Sequence, residues 1–306
     1  ARHRAELRAG ADLQPRADRA PIFIIGAPRS GTTLCYQLLV EGLDVGWLAN
    51  AHAAHASDAA AIERAAPARS ERLGSDYDSV HGDTHGEWGP SEAGEYWYRL
   101  LPRDRHQQGA ADATPQLRRD IAAMVRAFAD ACAAPVVFKN TLNSLRVPLL
   151  AAALPEARFV LVERELAENA RSLLVGRVRR GDLDGWWSAR PDAADALIAG
   201  GASSAEQVVW QAREVTRIAR RDLAEHAAGR WITIRYDELC HDPRGVLACT
   251  HEWLVGQGVE VSARPVDRIP DRFDRRGGGS LPDDLDAQLD AALAAAESAP
   301  VGEDGG

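Results

Sequence analysis

The amino-acid sequence predicts an α/β fold in which helices flank a central parallel sheet. Short apolar runs alternate along the chain with longer segments of helical periodicity, and 306 residues that are 45% hydrophobic can bury one large core. Strands that alternate with helices form parallel sheets. The predicted strands are 22–26, 136–139, 158–163 and 231–235, and the predicted helices are 32–41, 116–132, 144–154, 166–179 and 205–227.

Each predicted element has a local reason. The first and third strands contain the unbroken apolar runs 22–25 and 159–162, as expected of strands buried on both faces. The second strand, an apolar run after Pro135, has the same character. The longest helix begins with Ser203 and Glu206, which have capping-box spacing, and it stops at Gly229.

Composition divides the chain into three segments. Residues 1–19 are polar and arginine-rich, and we predict a flexible N-terminal segment there. Residues 20–276 carry the alternating pattern and form the predicted catalytic domain. Residues 277–306 are rich in Gly, Ala and Asp, which predicts a tail that is disordered beyond Pro300.

Charge and cysteine usage exclude several classes of protein. A net charge of −9 argues against a nucleic-acid partner held by a broad basic surface. No apolar stretch has the length of a membrane helix or the layout of a signal peptide. The four cysteines form no CxxC pair, which fits neither a zinc site nor a disulfide framework. We therefore predict a cytoplasmic protein without an integral membrane segment.

The first predicted strand leads through a glycine-containing loop directly into the first predicted helix. Backbone N–H groups of such a loop and of the helix N-terminus converge on one anion. The spacing of Gly26, Gly31 and Thr33 fits the phosphate loop of nucleoside triphosphatases, but Thr32 stands at the lysine position. Arg29 supplies a cation instead. The loop is therefore predicted to hold a phosphate-like anion other than an ATP tail; a plain strand–turn–helix corner is the alternative.

Lys139 is the single lysine among 36 Lys and Arg residues. It ends the second predicted strand, and ligands of open parallel sheets bind at the carboxyl ends of the strands. An ammonium is a compact point charge, whereas a guanidinium is a planar fork. The position therefore indicates a site that needs a point charge, with chance in an arginine-rich chain as the alternative.

A second predicted anion site follows the third strand. Arg164 lies just past the strand end, and Ser172 follows it in the next helix. Arginine offers phosphate a bidentate fork, and a serine hydroxyl adds a neutral hydrogen bond. The alternative is that Arg164 pairs with Glu163, Glu165 or Glu168 and that Ser172 bonds to helix carbonyls.

These motifs resemble those of the sulfotransferases that use 3′-phosphoadenosine 5′-phosphosulfate (PAPS). RSGTT at 29–33 is similar to their 5′-phosphosulfate loop, and Arg164 with Ser172 to their 3′-phosphate site. The KN…SLR segment at 139–146 and the late YDEL and Asp-Pro turn at 236–243 are similar to bacterial members. One departure is Arg-Glu-Leu at 164–166, where the family usually has Arg-Asp-Pro.

The resemblance covers roughly residues 20–256. It implies a three-layer P-loop NTPase-like fold and a PAPS-dependent sulfotransferase of the bacterial or carbohydrate type. The implied cofactor-binding residues are Arg29, Ser30, Gly31, Thr32, Thr33, Arg164 and Ser172. Sulfuryl transfer proceeds in line and releases 3′,5′-adenosine bisphosphate. The catalytic part of the site would then include Arg29 at the 5′-phosphosulfate and Lys139 at the bridging or sulfuryl oxygens, and no metal is required.

A catalytic base is expected in the segment after the first helix. Pro90-Ser91-Glu92 matches a Pro-x-Glu pattern of relatives, which makes Glu92 the first candidate, followed by Glu87 and His85. A solvated helix-start glutamate is the alternative for each acid. Trp88 and Trp97 are predicted to line the acceptor pocket or to pack in the core. Hydroxyls of sugars, lipid-linked glycans and secondary metabolites all fit as acceptors.

Two other classes of protein stay open at this point. A small-molecule kinase or other P-loop phosphotransferase is disfavoured by Thr32 and by the lack of an evident Mg²⁺-holding Asp after a strand. A catalytically idle nucleotide-binding protein would share the loop without turning over. A comparison of the binding of ATP–Mg²⁺ with that of 3′,5′-adenosine bisphosphate distinguishes the kinase from the sulfotransferase. Measurement of turnover distinguishes the idle nucleotide-binding protein from both enzymes.

Overall fold

The computed structural model describes residues 2–79, 82–275 and 279–298. Within them, five parallel strands form one sheet in the order β2-β3-β1-β4-β5. This confirms the predicted α/β fold with its central parallel sheet. The strands are β1 (Ile22–Ile25), β2 (Gly46–Trp47), β3 (Val136–Lys139), β4 (Arg158–Glu163) and β5 (Trp231–Arg235). The two-residue strand β2 was not predicted, because it is too short to show a pattern.

Helices pack on both faces of the sheet. They are α1 (Arg2–Ala11), α2 (Thr32–Gly42), α3 (Asn50–Ala54), α4 (Ala59–Ala65), α5 (Gly94–Trp97), α6 (Pro115–Cys132), α7 (Val147–Ala153), α8 (Leu166–Arg180), α9 (Ala194–Ala199), α10 (Ser204–His226), α11 (Tyr236–His241), α12 (Pro243–Gly256) and α13 (Asp283–Ser298). The predicted capping box of Ser203 and Glu206 is present at the start of α10.

The central strand β1 shows why both faces are covered. Phe23 and Ile25 point into one hydrophobic cluster with residues of α6 and α7. Ile22 and Ile24 point into a second cluster with residues of α2 and α12. All four side chains are fully buried, which explains why the strand is an unbroken apolar run without alternation.

One predicted helix is shorter than expected. Residues 144–154 were predicted to be helical, but Thr141–Leu145 forms a tighter 3₁₀ turn and α7 begins only at Val147. Pro148 explains the break, because proline has no N–H to donate and is accommodated in the first turn of a helix. The turn leaves Ser144 and its neighbours free to contact the phosphate loop.

The two terminal segments each contain a helix. The N-terminal segment 1–19, expected to be flexible, contains α1, which packs on α6 through Leu7. The tail 277–306 contains α13, which buries Leu285 and Leu289 against α8 and α10. Frequent polar residues concealed these apolar stripes in the sequence. The part of the tail beyond Pro300 lies outside the described residues, and the domain boundaries stay a prediction.

The parallel arrangement brings the chemically important loops to one edge. The carboxyl ends of β1, β3, β4 and β5 lead to Gly26, Lys139, Arg164 and Tyr236. In open parallel sheets this edge is where ligands bind. Among the described helices, none is long and apolar enough to cross a bilayer. The cytoplasmic location stays a prediction.

Candidate functional site

A cavity of about 930 Å³ opens at this edge of the sheet. Its floor consists of the loop after β1, the start of α2, the end of β3, Arg164 and, on α8, Ser172. Its walls come from residues within 76–79, 82–83, 92–106, 186–190 and 270–274. The cavity therefore joins the two predicted anion-binding motifs to the segment predicted to hold the base.

Two glycines of the loop have conformations or neighbours that exclude a side chain. Gly31 has φ +100°, and a Cβ there would lie 2.3 Å from the Tyr236 ring. Gly26 would bring a Cβ within 2.3 Å of the Val162 carbonyl oxygen. The Ser144 hydroxyl accepts from Gly26 N and donates to Gly26 O, both at 2.9 Å. The loop is thus fixed against β4, α11 and the turn after β3.

The N-terminus of α2 faces the cavity. Gly31 precedes the helix, no side chain caps it, and Gly31, Thr32 and Thr33 all line the cavity. The first-turn N–H groups of a helix carry partial positive charge and have no intrahelical acceptor. Ser30 is buried instead of lining the cavity, and its Oγ has no hydrogen-bond partner among the described residues. The helix N-terminus fits an anionic group at the loop, whereas the Ser30 hydroxyl does not face it.

The two predicted anion motifs meet at Arg29. Its Nε donates to Ser172 Oγ at 3.2 Å, and Arg164 Nη1 donates to the Arg29 carbonyl oxygen at 3.2 Å. Arg164 also stacks over Tyr236, with Cζ 4.3 Å from the ring centroid, and pairs with Glu168 at 3.2 Å. The Glu168 ion pair considered as an alternative is therefore present together with the contact to the loop. Arg29, Arg164 and Ser172 all line the cavity.

Lys139 lies between the loop and the predicted base. Its Nζ donates to Thr33 Oγ1 at 2.9 Å and forms an ion pair with Glu92 Oε1. The Lys139 side chain is 3% exposed, whereas that of Glu92 is 33% exposed. Asn140 Nδ2 donates to the Glu92 backbone oxygen at 3.2 Å and so joins the Glu92 segment to the end of β3. Glu92 and Lys139 both line the cavity.

The other two candidate bases do not line the cavity. His85 is exposed, and its Nδ1 contacts Asp76 Oδ2 at 2.7 Å. This hydrogen bond, followed by the negative charge of Asp76, raises the pKa of His85. Glu87 is exposed, and its backbone oxygen accepts from Ala51 N at 2.9 Å. Of the three candidates, the structure brings Glu92 alone to Lys139.

The two tryptophans predicted as pocket or core residues also do not line the cavity. Trp97 is fully buried and packs in the core, with ring centroids 6.0 Å from Phe23 and 5.6 Å from Phe138. Trp88 packs against Arg72, whose Cζ is 5.0 Å from its ring centroid. For Trp97 the core alternative is the one observed. The aromatic residues that line the cavity are Tyr77, Tyr98, Trp186, Trp187, Tyr236 and Phe273.

A buried ionic cluster anchors the chain before the cavity wall. Arg72 forms two hydrogen bonds of 2.8 Å with Glu63, and His52 Nε2 lies 3.3 Å from the same carboxylate. Burial alone would raise the pKa of Glu63, but the hydrogen bonds from His52 and Arg72 and the charge of Arg72 outweigh it and lower that pKa. The Arg72–Glu63 ion pair therefore fixes the chain shortly before the wall residues that begin at Asp76.

The wall itself is held mainly by contacts to α2. The buried Glu41 carboxylate accepts from Gly74 N and Ser75 N, both at 2.7 Å. Gln37 Nε2 donates to the Asp78 backbone oxygen at 3.1 Å. Glu41 and Gln37 both lie on α2, the helix that directly follows the phosphate loop. This wall and the loop therefore share one helix as support.

His106 joins the two outer walls of the cavity. Its Nδ1 accepts from Arg190 N at 3.0 Å, and its backbone oxygen accepts from Arg146 Nε at 3.3 Å. Burial, followed by the positive charge of Arg146, lowers the pKa of His106. Burial also lowers the pKa of the fully buried Arg146 to about 10. The accepting Nδ1 and the lowered pKa describe a neutral, structural imidazole.

Comparison with known proteins assigns the family. A model of the sulfotransferase family matches residues 21–254, which is most of the chain. The chain belongs to the sulfotransferase family. Membership makes the protein a transferase, and sulfotransfer is the activity that it supports. A search of curated proteins gave no significant match.

Two solved bacterial sulfotransferases are similar in fold. One, from Mycobacterium avium, has a TM-score of 0.55 at 16% identity, over 96% of this chain and 72% of that chain. Another, from Mycobacterium tuberculosis, has a TM-score of 0.53 at 14% identity, over 95% of this chain and 81% of that chain. These likenesses support the P-loop-like arrangement of the sheet and its helices. Across the described ranges, no group of three or more His, Cys, Asp or Glu could hold a metal ion.

Proposed function

We propose that this sulfotransferase uses PAPS as donor and sulfates a hydroxyl of a carbohydrate or small-molecule natural product. The observation that carries the proposal is the position of Lys139, whose ammonium contacts Thr33 of the phosphate loop and Glu92 of the wall. One cation thus lies between a loop suited to an anion and a carboxylate suited to take up a proton. In-line transfer between two substrates needs this order of groups.

We assign two adjoining anion sites to the donor half of the cavity, with Arg29 in contact with residues of both. Arg29 and the N–H groups at the start of α2 would hold the 5′-phosphosulfate, and Arg164 with Ser172 would hold the 3′-phosphate. The helix N-terminus without a side-chain cap fits this ligand. The donor supplies the sulfuryl group when it is bound. Our proposed product is 3′,5′-adenosine bisphosphate.

The reaction then needs three tasks from the protein. Glu92 accepts the proton of the acceptor hydroxyl as the new oxygen–sulfur bond forms. Lys139 stabilises the negative charge that grows on the leaving phosphate as the old sulfur–oxygen bond breaks. Arg29 binds the phosphosulfate before and during this step. We do not assign Glu87 or His85 a part in the reaction, because neither lines the cavity.

The acceptor half is polar and aromatic at once. Tyr98 and Trp186 line it, and Arg103 stacks over Tyr98 with Cζ 4.4 Å from the ring centroid. Rings with an apolar face and nearby charged groups suit a hydroxyl-bearing acceptor such as a sugar. We therefore place the acceptor against Tyr98 and Trp186 instead of Trp88 and Trp97.

Calorimetry with 3′,5′-adenosine bisphosphate tests the proposal. We expect binding in the presence of a chelator and a much weaker response to ATP–Mg²⁺. Arg29→Ala should reduce binding, and the exposed Arg118→Ala on α6 is the matched control that should not. No binding, or binding that requires Mg²⁺, would favour the phosphotransferase alternative. Binding without sulfation of any acceptor in a PAPS-consumption screen would favour the idle nucleotide-binding protein.

A further inference from the structure

We infer that Trp187 is a positioning residue that holds the Arg29 guanidinium in its donor-binding orientation. The inference rests on the proposed function, because it concerns the cation that meets the 5′-phosphosulfate. Trp187 lines the cavity between the phosphate loop and α8. It belongs to none of the motifs that the sequence analysis singled out.

The contacts of Arg29 define its orientation. The Arg29 Cζ lies 5.8 Å from the centroid of the Trp187 ring, within the range of a cation–π contact. At its edge, Arg29 Nε donates to Ser172 Oγ at 3.2 Å. A planar guanidinium that is stacked and hydrogen-bonded in this way has few remaining rotamers. The guanidinium is therefore already oriented before a ligand arrives.

Arg29 needs such support for two reasons. Its backbone has φ +69°, a left-handed conformation that is uncommon for residues other than glycine. An arginine side chain also loses much rotamer freedom when it is immobilised. A contact that orders the side chain in the free protein lowers the cost of ordering it on binding.

The Trp187 ring is itself held from several sides. A Cβ on Gly176 would lie 2.3 Å from Trp187 Cζ3, so the ring packs directly on α8 where a glycine leaves room. Arg180 Cζ lies 5.4 Å from the same ring centroid. The Trp187 backbone oxygen accepts from the buried Gln211 Nε2 at 2.8 Å.

The chain spacing links these contacts. Gly176 follows Ser172 by one helical turn, so both lie on the same face of α8. Ser172 meets the edge of the Arg29 guanidinium, and Gly176 supports the ring over which it stacks. One face of α8 therefore orients the arginine in two ways.

The first experiment measures binding of 3′,5′-adenosine bisphosphate by calorimetry. Trp187→Leu should weaken binding about tenfold, the size expected for loss of a partly desolvated cation–π contact. Trp187→Phe should recover part of this loss, because it keeps a smaller ring. In steady-state kinetics, the KM for PAPS should rise while kcat changes little. Trp253→Leu on α12, a partly buried indole in the second hydrophobic cluster, is the control for loss of packing.

A second variant displaces the ring without removing it. Gly176→Ala should displace the Trp187 ring from α8. Like Trp187→Leu, it should weaken the binding of 3′,5′-adenosine bisphosphate. Gly256→Ala, at the end of α12 where nothing lies within 4 Å of the added Cβ, is the matched control and should bind as the wild type does.

A double-mutant cycle decides whether Trp187 acts through Arg29. In an Arg29→Ala background, Trp187→Leu should cause no further loss of affinity. An equal loss in both backgrounds, or full affinity of Trp187→Leu in the wild-type background, would overturn the inference while leaving the proposed function intact. Absence of binding by the wild-type protein would overturn the proposed function first, and this inference with it.

Discussion

The proposed donor and acceptor halves of the cavity are built in different ways. In the donor half, Arg29, Lys139 and Arg164 each come at or just after the end of a strand. In the acceptor half, Tyr98, His106 and Trp186 lie on long connections between helices. A donor that is the same in every turnover can be bound by a few short motifs on a rigid sheet edge. An acceptor site on loops can change without disturbing the sheet.

The way each half is fixed follows the same division. The phosphate loop is fixed by glycines that leave no room for a side chain and by hydrogen bonds with Ser144 and Arg164, which follow β3 and β4 at the sheet edge. The acceptor walls are fixed by side chains that reach backbone groups of the long connections, as Gln37 and Arg146 do. Substitutions in the donor half should therefore affect donor affinity or the chemical step. Those in the acceptor walls, Glu92 excepted, should act on acceptor selection.

The largest expected effect is on kcat and tests Glu92 as the catalytic base. Glu92→Gln keeps the shape of the side chain but cannot take up a proton, so kcat should fall by about a hundredfold to ten-thousandfold. Affinity for 3′,5′-adenosine bisphosphate should change much less. Glu87→Gln is the matched control, because Glu87 is exposed and outside the cavity. A Glu87→Gln enzyme that loses as much activity would reverse the assignment.

Lys139 tests the boundary between the halves. If its ammonium meets charge that appears only as the phosphosulfate bond breaks, Lys139→Ala should lower kcat by about a hundredfold or more and change donor affinity less. Lys139→Arg should restore only part of the rate, since a guanidinium cannot take the same point position. Single-turnover and binding measurements on the folded variants check this. Normal turnover by Lys139→Ala would show that the residue is not catalytic.

Arg164 tests the donor half alone. Arg164→Ala should weaken 3′-phosphorylated ligands by about tenfold to a hundredfold, the effect of losing a hydrogen bond to a charged group. Adenosine 5′-phosphosulfate lacks the 3′-phosphate and should be affected far less. Competition binding with both ligands gives the comparison. Equal losses for the two ligands would place Arg164 away from the 3′-phosphate.

The smallest expected effect concerns the acceptor wall and depends on pH. The hydrogen bond with Asp76 raises the pKa of His85 above its ordinary value of 6.5. The pair therefore stabilises the folded wall fully below pH 6.5, and this contribution is lost as the pH rises through the native pKa of His85. The difference in Tm between wild type and His85→Ala should be present near pH 6 and absent near pH 9. A difference that grows with pH would contradict this.

The sequence predicted which residues of the proposed donor half lie together, because the signals there are local. An apolar run, a glycine loop and a helix start within a few residues fix the positions of Gly26, Arg29 and Thr33. Parallel pairing then brings Lys139 and Arg164 to the same edge without further information. Within the loop, the Ser30 side chain is buried and does not line the cavity, and spacing does not reveal the direction of a side chain.

The acceptor half could not be predicted in the same way. Trp186 lies far along the chain from Glu92, and loops without periodicity carry no signal for which residues meet in space. An adjacent tryptophan pair after the glycine that ends α8 was the one available hint. Trp88 and Trp97 are close in sequence to the candidate bases, but neither lines the cavity. Trp97 packs instead in the aromatic core around Phe23.

The shared ammonium of Lys139 has a thermodynamic consequence. Thr33 belongs to the phosphate loop and Glu92 to the cavity wall, yet both side chains contact Lys139 Nζ. Residues with a common partner show interaction energies instead of additive ones. The energetic effects of changing Thr33 and Glu92 are therefore coupled through Lys139, and in a chain without that ammonium the coupling disappears. On the proposed function, binding of the donor and binding of the acceptor therefore depend on the same charged group.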